Sequence, residues 1–135
     1  MSALDPRERD LVKCEDMRLY AERAREFLGS RSLEAFLADE MAQAAVVRCI
    51  EVIGEAARLV SEDTRRRAPE IPWSLITGMR HVLAHDDGTV DLDRVYRVVT
   101  EQLPELLTHL GTLIASLEQD VGWSKDDEED PPQSP

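Results

Sequence analysis

The chain has 135 residues, 42% of them hydrophobic and 33% charged, which suits one domain with a single core and a well-solvated surface. No run approaches the roughly 18 apolar residues of a membrane-spanning helix, and Asp5, Arg7, Glu8, Arg9 and Asp10 leave no apolar centre for a signal peptide, so a cytoplasmic protein without membrane contact is expected. The formal charge of −12 argues against a protein that holds long nucleic acids by counterion release alone, yet five acids against Lys125 put −4 in residues 125–135, which leaves room for a local basic site elsewhere.

Asp5-Pro6-Arg7-Glu8 begins a helix: an Asp cap, Pro at the first helical position, where no amide donor is needed, and an acid three residues after the cap. Leu11, Cys14, Met17, Ala21, Ala24 and Leu28 recur at helical spacing until Gly29, predicting one helix over about 6–28. Ser32 caps a short turn through Leu33, Phe36 and Leu37. Asp39 starts a second long helix with Ala42, Ala45, Val46, Cys49, Val52, Ile53, Ala56 and Val60 on one face, and Gly54 inside it suggests a close helix crossing. The stretch Arg65-Arg66-Arg67-Ala68-Pro69-Glu70-Ile71-Pro72 reads as a surface loop. A third helix is expected from Pro72 to about Ala84, with Trp73, Ile76, Met79 and Leu83 apolar, broken by Asp86-Asp87-Gly88. Asp91 caps a last helix whose Leu92, Val95, Val99, Leu103, Leu106, Leu110, Leu113 and Leu117 hold one stripe across Pro104, so one bent helix is expected.

These elements predict an all-α antiparallel four-helix bundle with a short extra helix, occupying residues 1–120. Residues 121–135, an acidic run followed by Pro131-Pro132-Gln133-Ser134-Pro135, are expected to be a disordered tail. Cys14 and Cys49 lie in apolar-periodic segments with no close pairing, which predicts buried reduced thiols.

One segment gathers chemistry. Residues 79–87, Met-Arg-His-Val-Leu-Ala-His-Asp-Asp, hold an arginine, two of the three histidines and two acids where a helix ends. A polar helix terminus followed by ordinary turn residues is the plain reading. A metal reading places His81 and His85 four apart with Asp86 or Asp87 as a third ligand, but no Glu follows the first His as in a zincin motif. The third reading pairs Arg80 with His85, a permanent cation for phosphate and an imidazole for proton transfer. On an ideal helix the two stand roughly 140° apart, so they converge only if the helix unwinds at His85 or the site is shared between two chains.

Elsewhere the bland and functional readings compete. Arg65 to Arg67 could guide a polyanionic ligand or be solvated or paired with neighbouring acids. Arg48 and Glu55, seven apart, lie along one helix face and could line a groove beside Arg80, or a buried structural pairing with acids of another helix could hold there. Asp16 is expected in a polar layer facing the bundle, and His109 among leucines is expected to be structural.

Several blocks together resemble the HepT-like branch of the HEPN superfamily. They are Phe36-Leu37-Ala38-Asp39-Glu40, Ala45-Val46-Val47-Arg48, Glu51-Val52-Ile53-Gly54-Glu55-Ala56-Ala57 and Pro69-Glu70-Ile71-Pro72-Trp73. Gly78-Met79-Arg80, His85, Val90-Asp91-Leu92 and Leu103-Pro104-Glu105-Leu106 continue them, so that the likeness spans about Leu11 to Leu113. The resemblance implies a helical ribonuclease, the toxin of a toxin–antitoxin pair, with an Arg–x4–His motif met by Arg80 and His85. It implies a homodimer whose two motifs face each other, cleavage of RNA without metal or cofactor to a 2′,3′-cyclic phosphate, and an MntA-like nucleotidyltransferase antitoxin that adds AMP to a Tyr two residues after the His. Assembly beyond the dimer is left open.

This chain departs from that pattern. Asp87 stands where the family has the Tyr, His81 where Asn commonly follows the Arg, and Cys49 where Asn commonly follows Arg48. The first departure removes the hydroxyl that AMP would modify. The others exchange an amide for groups with different hydrogen-bonding capacity. The alternative is a catalytically silent helical interaction protein that keeps the nucleotidyltransferase partner. Asp87 fits either reading, since a carboxylate there could hold a positive imidazolium or repel RNA phosphate. Arg80 and His85 are thus the candidate catalytic residues, with His81, Asp86, Asp87, Arg48 and Glu55 lining or modulating the site.

Overall fold

The computed structural model describes residues 5–122, apart from the Val82 side chain, so the expected tail lies outside the described residues beyond Gly122. The described chain is all-helical: α1 (Pro6–Leu28), α2 (Leu33–Leu37), α3 (Glu40–Arg58), α4 (Glu62–Arg67), α5 (Trp73–Thr77), α6 (Met79–Val82), α7 (Leu92–Arg97), a π turn (Val98–Gln102) and α8 (Leu103–Val121). Among the described residues the β pairing is one isolated antiparallel bridge, Ala84 to Val90.

The long helices form where the stripes and caps predicted them. Asp5 accepts from the Arg7 amide while Glu8 reaches back to the Asp5 amide, a capping box with Pro6 inside it. Ser32, Asp39 and Asp91 each accept from a backbone amide three residues on and so start α2, α3 and α7. α1 packs against both α3 and α8. Its start meets the end of α3 through Asp10 and Ser61, while Tyr96, in α7, donates to the Arg31 carbonyl just past the end of α1. Both neighbours therefore run antiparallel to α1. The core between them includes Met17, Phe36, Ile50, Ile53, Leu110, Ile114 and Leu117. Cys14 and Cys49 are buried and free, and burial, with Asp10 and Glu15 nearby, pushes the Cys14 thiol up to about 12.

Three expectations need correction, and the one continuous helix across Pro104 holds with a local change of pitch. Residues 65–67 are not loop but the last turn of α4, which Ser61 caps. Its acids Glu62 and Asp63 sit at the start and its arginines at the end, as the helix dipole favours. Only Thr64 of it is buried, so it has no apolar stripe to read. The third helix is two short pieces meeting at Gly78: the Thr77-Gly78 pair is a poor helix former, and the His81 amide turns back three residues to the Gly78 carbonyl. Pro104 is accommodated by the π turn before it, where the Leu103 amide bonds the Val98 carbonyl and the helical path continues. Asp16 does not face the bundle; it is 43% exposed and stands 3.9 Å from Lys13.

The buried acid is Asp10 instead. Its carboxylate accepts from the Ser61 amide at 3.0 Å, the Ser61 hydroxyl and the Thr64 hydroxyl at 2.6 Å, tying the start of α1 to α4.

Candidate active site

Gly54 sets the position of the site. A Cβ at this residue would lie 3.1 Å from the Ile76 carbonyl oxygen, so the absent side chain lets α5 come close against α3. Where α5 gives way to α6, a groove of about 190 Å³ opens between the two layers. Glu51, Glu55 and Arg58 line it from α3, and Thr77, Arg80 and His81 line it from the other side. This is small beside the roughly 300–1,000 Å³ of enclosed small-molecule sites.

Past α6 the chain makes a tight hairpin. The His85 amide donates to Thr89 and the Asp91 amide to Leu83, both at 2.6 Å, while the Gly88 amide closes the turn on the His85 carbonyl at 2.9 Å. Gly88 has φ +88°, a backbone region that favours glycine, which explains the Asp-Asp-Gly sequence. Asp87 accepts from the Thr89 hydroxyl at 2.7 Å and the Thr89 amide at 3.0 Å. Those two bonds, the hydroxyl first, and the charge of nearby His85 hold its carboxyl below the usual carboxylate range. His85, Asp86 and Asp87 are all exposed.

The structure brings Arg80, His81 and Glu55 to one groove and puts Arg48 beside it through a 3.9 Å ion pair to Glu55. That pair is exposed on both sides, not buried. His85, Asp86 and Asp87 lie on the following hairpin and do not line the groove. Because α6 ends at Val82, Arg80 and His85 are not on one regular helix and the ideal-helix offset between them does not hold. Neither Arg80, His81 nor His85 makes a side-chain hydrogen bond or ion pair among the described residues, which leaves a guanidinium and two imidazoles open to a ligand. No three His, Cys, Asp or Glu side chains among the described residues are grouped as metal ligands.

Each arginine of the triplet has a partner within the fold. Arg65 donates to the Val60, Ala57 and Arg58 carbonyls that end α3 and lies over the Trp73 ring, Arg66 pairs with Glu62 and Asp63, and Arg67 pairs with Asp120. His109 is half-buried beside Met79 and Leu106. Sequence reasoning missed Arg58, although Glu51, Glu55 and Arg58 recur at helical spacing and so share a face.

The family model described as "Ribonuclease HepT-like" matches residues 17–113, a span that holds every residue of the groove and the hairpin. The chain belongs to the HepT-like ribonuclease family. Among curated HepT-like relatives, "Probable ribonuclease HepT" of Thermococcus cleftensis is 38% identical over 68% of this chain and 84% of its own length. Two Methanocaldococcus jannaschii proteins, each named "Putative RNase", are 32% and 33% identical, over 60% and 69% of this chain and 74% and 80% of their own. Family and names together support a ribonuclease function. No solved structure matches the chain. No helix among the described residues is long and apolar enough to cross a membrane.

Proposed function

We propose that the chain is a metal-independent endoribonuclease, the toxin of a module whose antitoxin is an MntA-like nucleotidyltransferase, and that it works in the cytoplasm as a homodimer. The observation that carries the reading is the exposure of Arg80 and His85, with no side-chain hydrogen bond or ion pair of their own among the described residues, on a short segment of a ribonuclease-family chain. RNA carries its own nucleophile. The 2′-oxygen attacks the adjacent phosphorus, the P–O5′ bond breaks, and a 2′,3′-cyclic phosphate and a 5′-hydroxyl result. His85 moves a proton in this exchange, and Arg80 balances the charge that builds on the phosphate oxygens. His81 and Glu55 line the groove at Arg80, with Arg48 held to Glu55, while Asp86 and Asp87 modulate His85 from the hairpin.

Asp87 offers no phenol, so the antitoxin acts here by binding or by modifying another residue; mass spectrometry after incubation with the nucleotidyltransferase and ATP should find no AMP on Asp87. Sedimentation at micromolar concentration should give a dimer. The deciding experiment is incubation of the wild-type protein with RNA at low salt in excess EDTA, followed by end-group analysis. Fragments with cyclic phosphate ends are expected. Intact RNA, with nucleotidyltransferase binding retained, would establish the silent interaction protein instead.

A further inference from the structure

We infer that Arg58 is a second phosphate-binding residue, holding from the α3 wall the RNA strand whose scissile phosphate lies at Arg80. The inference rests on the ribonuclease reading above and adds a positioning residue to it. Arg58 stands in the last turn of α3 and lines the same groove as Arg80 from the opposite side. Its side chain is exposed and makes no hydrogen bond or ion pair among the described residues, although Glu55 is only three residues away. Glu55 is turned to Arg48 instead, at 3.9 Å. The backbone of Arg58 is fixed as well, because its carbonyl accepts from the Arg65 guanidinium at 3.2 Å. A guanidinium on a held backbone facing a second one across a narrow groove can engage two oxygens of a polyanionic strand.

Charge makes the need for this residue concrete. Glu51 and Glu55 also line the groove and repel phosphate, and the chain as a whole carries −12. With Arg80 alone, the groove would present one cation against two acids. Arg58 brings the lining to balance, with Arg48 drawing on Glu55 from outside. A strand is therefore held by local contacts and not by the field of the protein, which predicts a shallow but measurable salt dependence with a share that belongs to Arg58.

The test uses the full chain with Arg58→Ala and Arg58→Lys, a cleavable RNA oligomer, and a 2′-O-methyl oligomer that binds without an attacking hydroxyl. For Arg58→Ala, affinity for the 2′-O-methyl oligomer should fall about tenfold and the slope of log affinity against log salt should flatten by about 0.7, the value for one phosphate contact on a single strand. KM for cleavage should rise with kcat within about twofold, and Arg58→Lys, which keeps the charge but not the fork, should keep the slope and recover part of the affinity. Unchanged affinity and slope in Arg58→Ala would overturn the inference while leaving the ribonuclease reading in place, as would a kcat loss with affinity intact. If the wild type binds the 2′-O-methyl oligomer in an Arg58-dependent way but cuts nothing, the contact stands and the cleavage reading fails.

Discussion

The long helices and the segment 72–91 are built on opposite principles. α1, α3 and α8 are striped and closed, with side-chain caps starting α1 and α3: among the described residues thirty hydrophobic side chains fall in the buried core, most of them on these helices, and the buried carboxylate there, Asp10, accepts three hydrogen bonds from inside the protein. The segment 72–91 is short-ranged and open, with two brief helices, a break at Gly78, and a hairpin whose five residues from His85 to Thr89 are all exposed. Its polar groups at Arg80, His81 and His85 are exposed and make no side-chain hydrogen bond or ion pair among the described residues. The difference shows how a small acidic domain can be stable and still leave polar groups exposed: a packed core is supplied by one region and open cationic and imidazole groups by another, which is anchored to it by Trp73, Ile76, Met79 and Leu83.

The largest effect on the scaffold should come from Phe36→Ala. Phe36 is fully buried and its ring lies 6.0 Å from that of Tyr96, so its loss should destabilise the protein by about 3–5 kcal/mol in urea unfolding. Removing the buried acceptor with Asp10→Ala should cost about 1–3 kcal/mol by the same measurement, because the Ser61 amide and two hydroxyls are left without their partner. Gly54→Val blurs the two regions deliberately. Its Cβ meets the Ile76 carbonyl, and separating α5 from α3 should cost about 1–3 kcal/mol and widen the groove at Arg80, so RNA affinity should fall with stability.

The smallest effect is one of pH. The Ala42 amide, and then Arg31, hold the Asp39 carboxyl below the usual carboxylate range. A lowered folded value means that this cap stabilises above the unfolded value and is lost as pH falls through the folded one. Asp39→Asn keeps the capping acceptor without the titration, so its stability should fall less steeply than the wild type's below about pH 4.

What could be read in advance follows the same division. The caps at Asp5, Ser32, Asp39 and Asp91 and the stripes of α1, α3 and α8 are local and periodic, so the sequence displays them directly. The tight turn after His85 was legible for the same kind of reason, in the local run Asp86-Asp87-Gly88. Three features were not: two depend on partners far along the chain, and the third leaves the apolar stripe unchanged. α4 is held by Asp10, more than fifty residues away, and by charges at its ends, with no apolar period. The π turn compensates Pro104 without disturbing the stripe, so the register alone cannot reveal it. The pairing of Arg58 with Arg80 across one groove needs the close crossing at Gly54, which fixes two elements whose sequences say nothing of each other.

The most direct test of this division of labour is to measure RNA cleavage and urea unfolding side by side for the wild type, Arg80→Ala and His85→Ala. Both positions are exposed and make no side-chain bonds among the described residues. Each substitution should lower cleavage by on the order of 10²-fold or more while leaving unfolding within about 0.5 kcal/mol of the wild type. Cleavage at the wild-type rate in either variant, or a loss of cleavage accompanied by several kcal/mol of destabilisation, would contradict it.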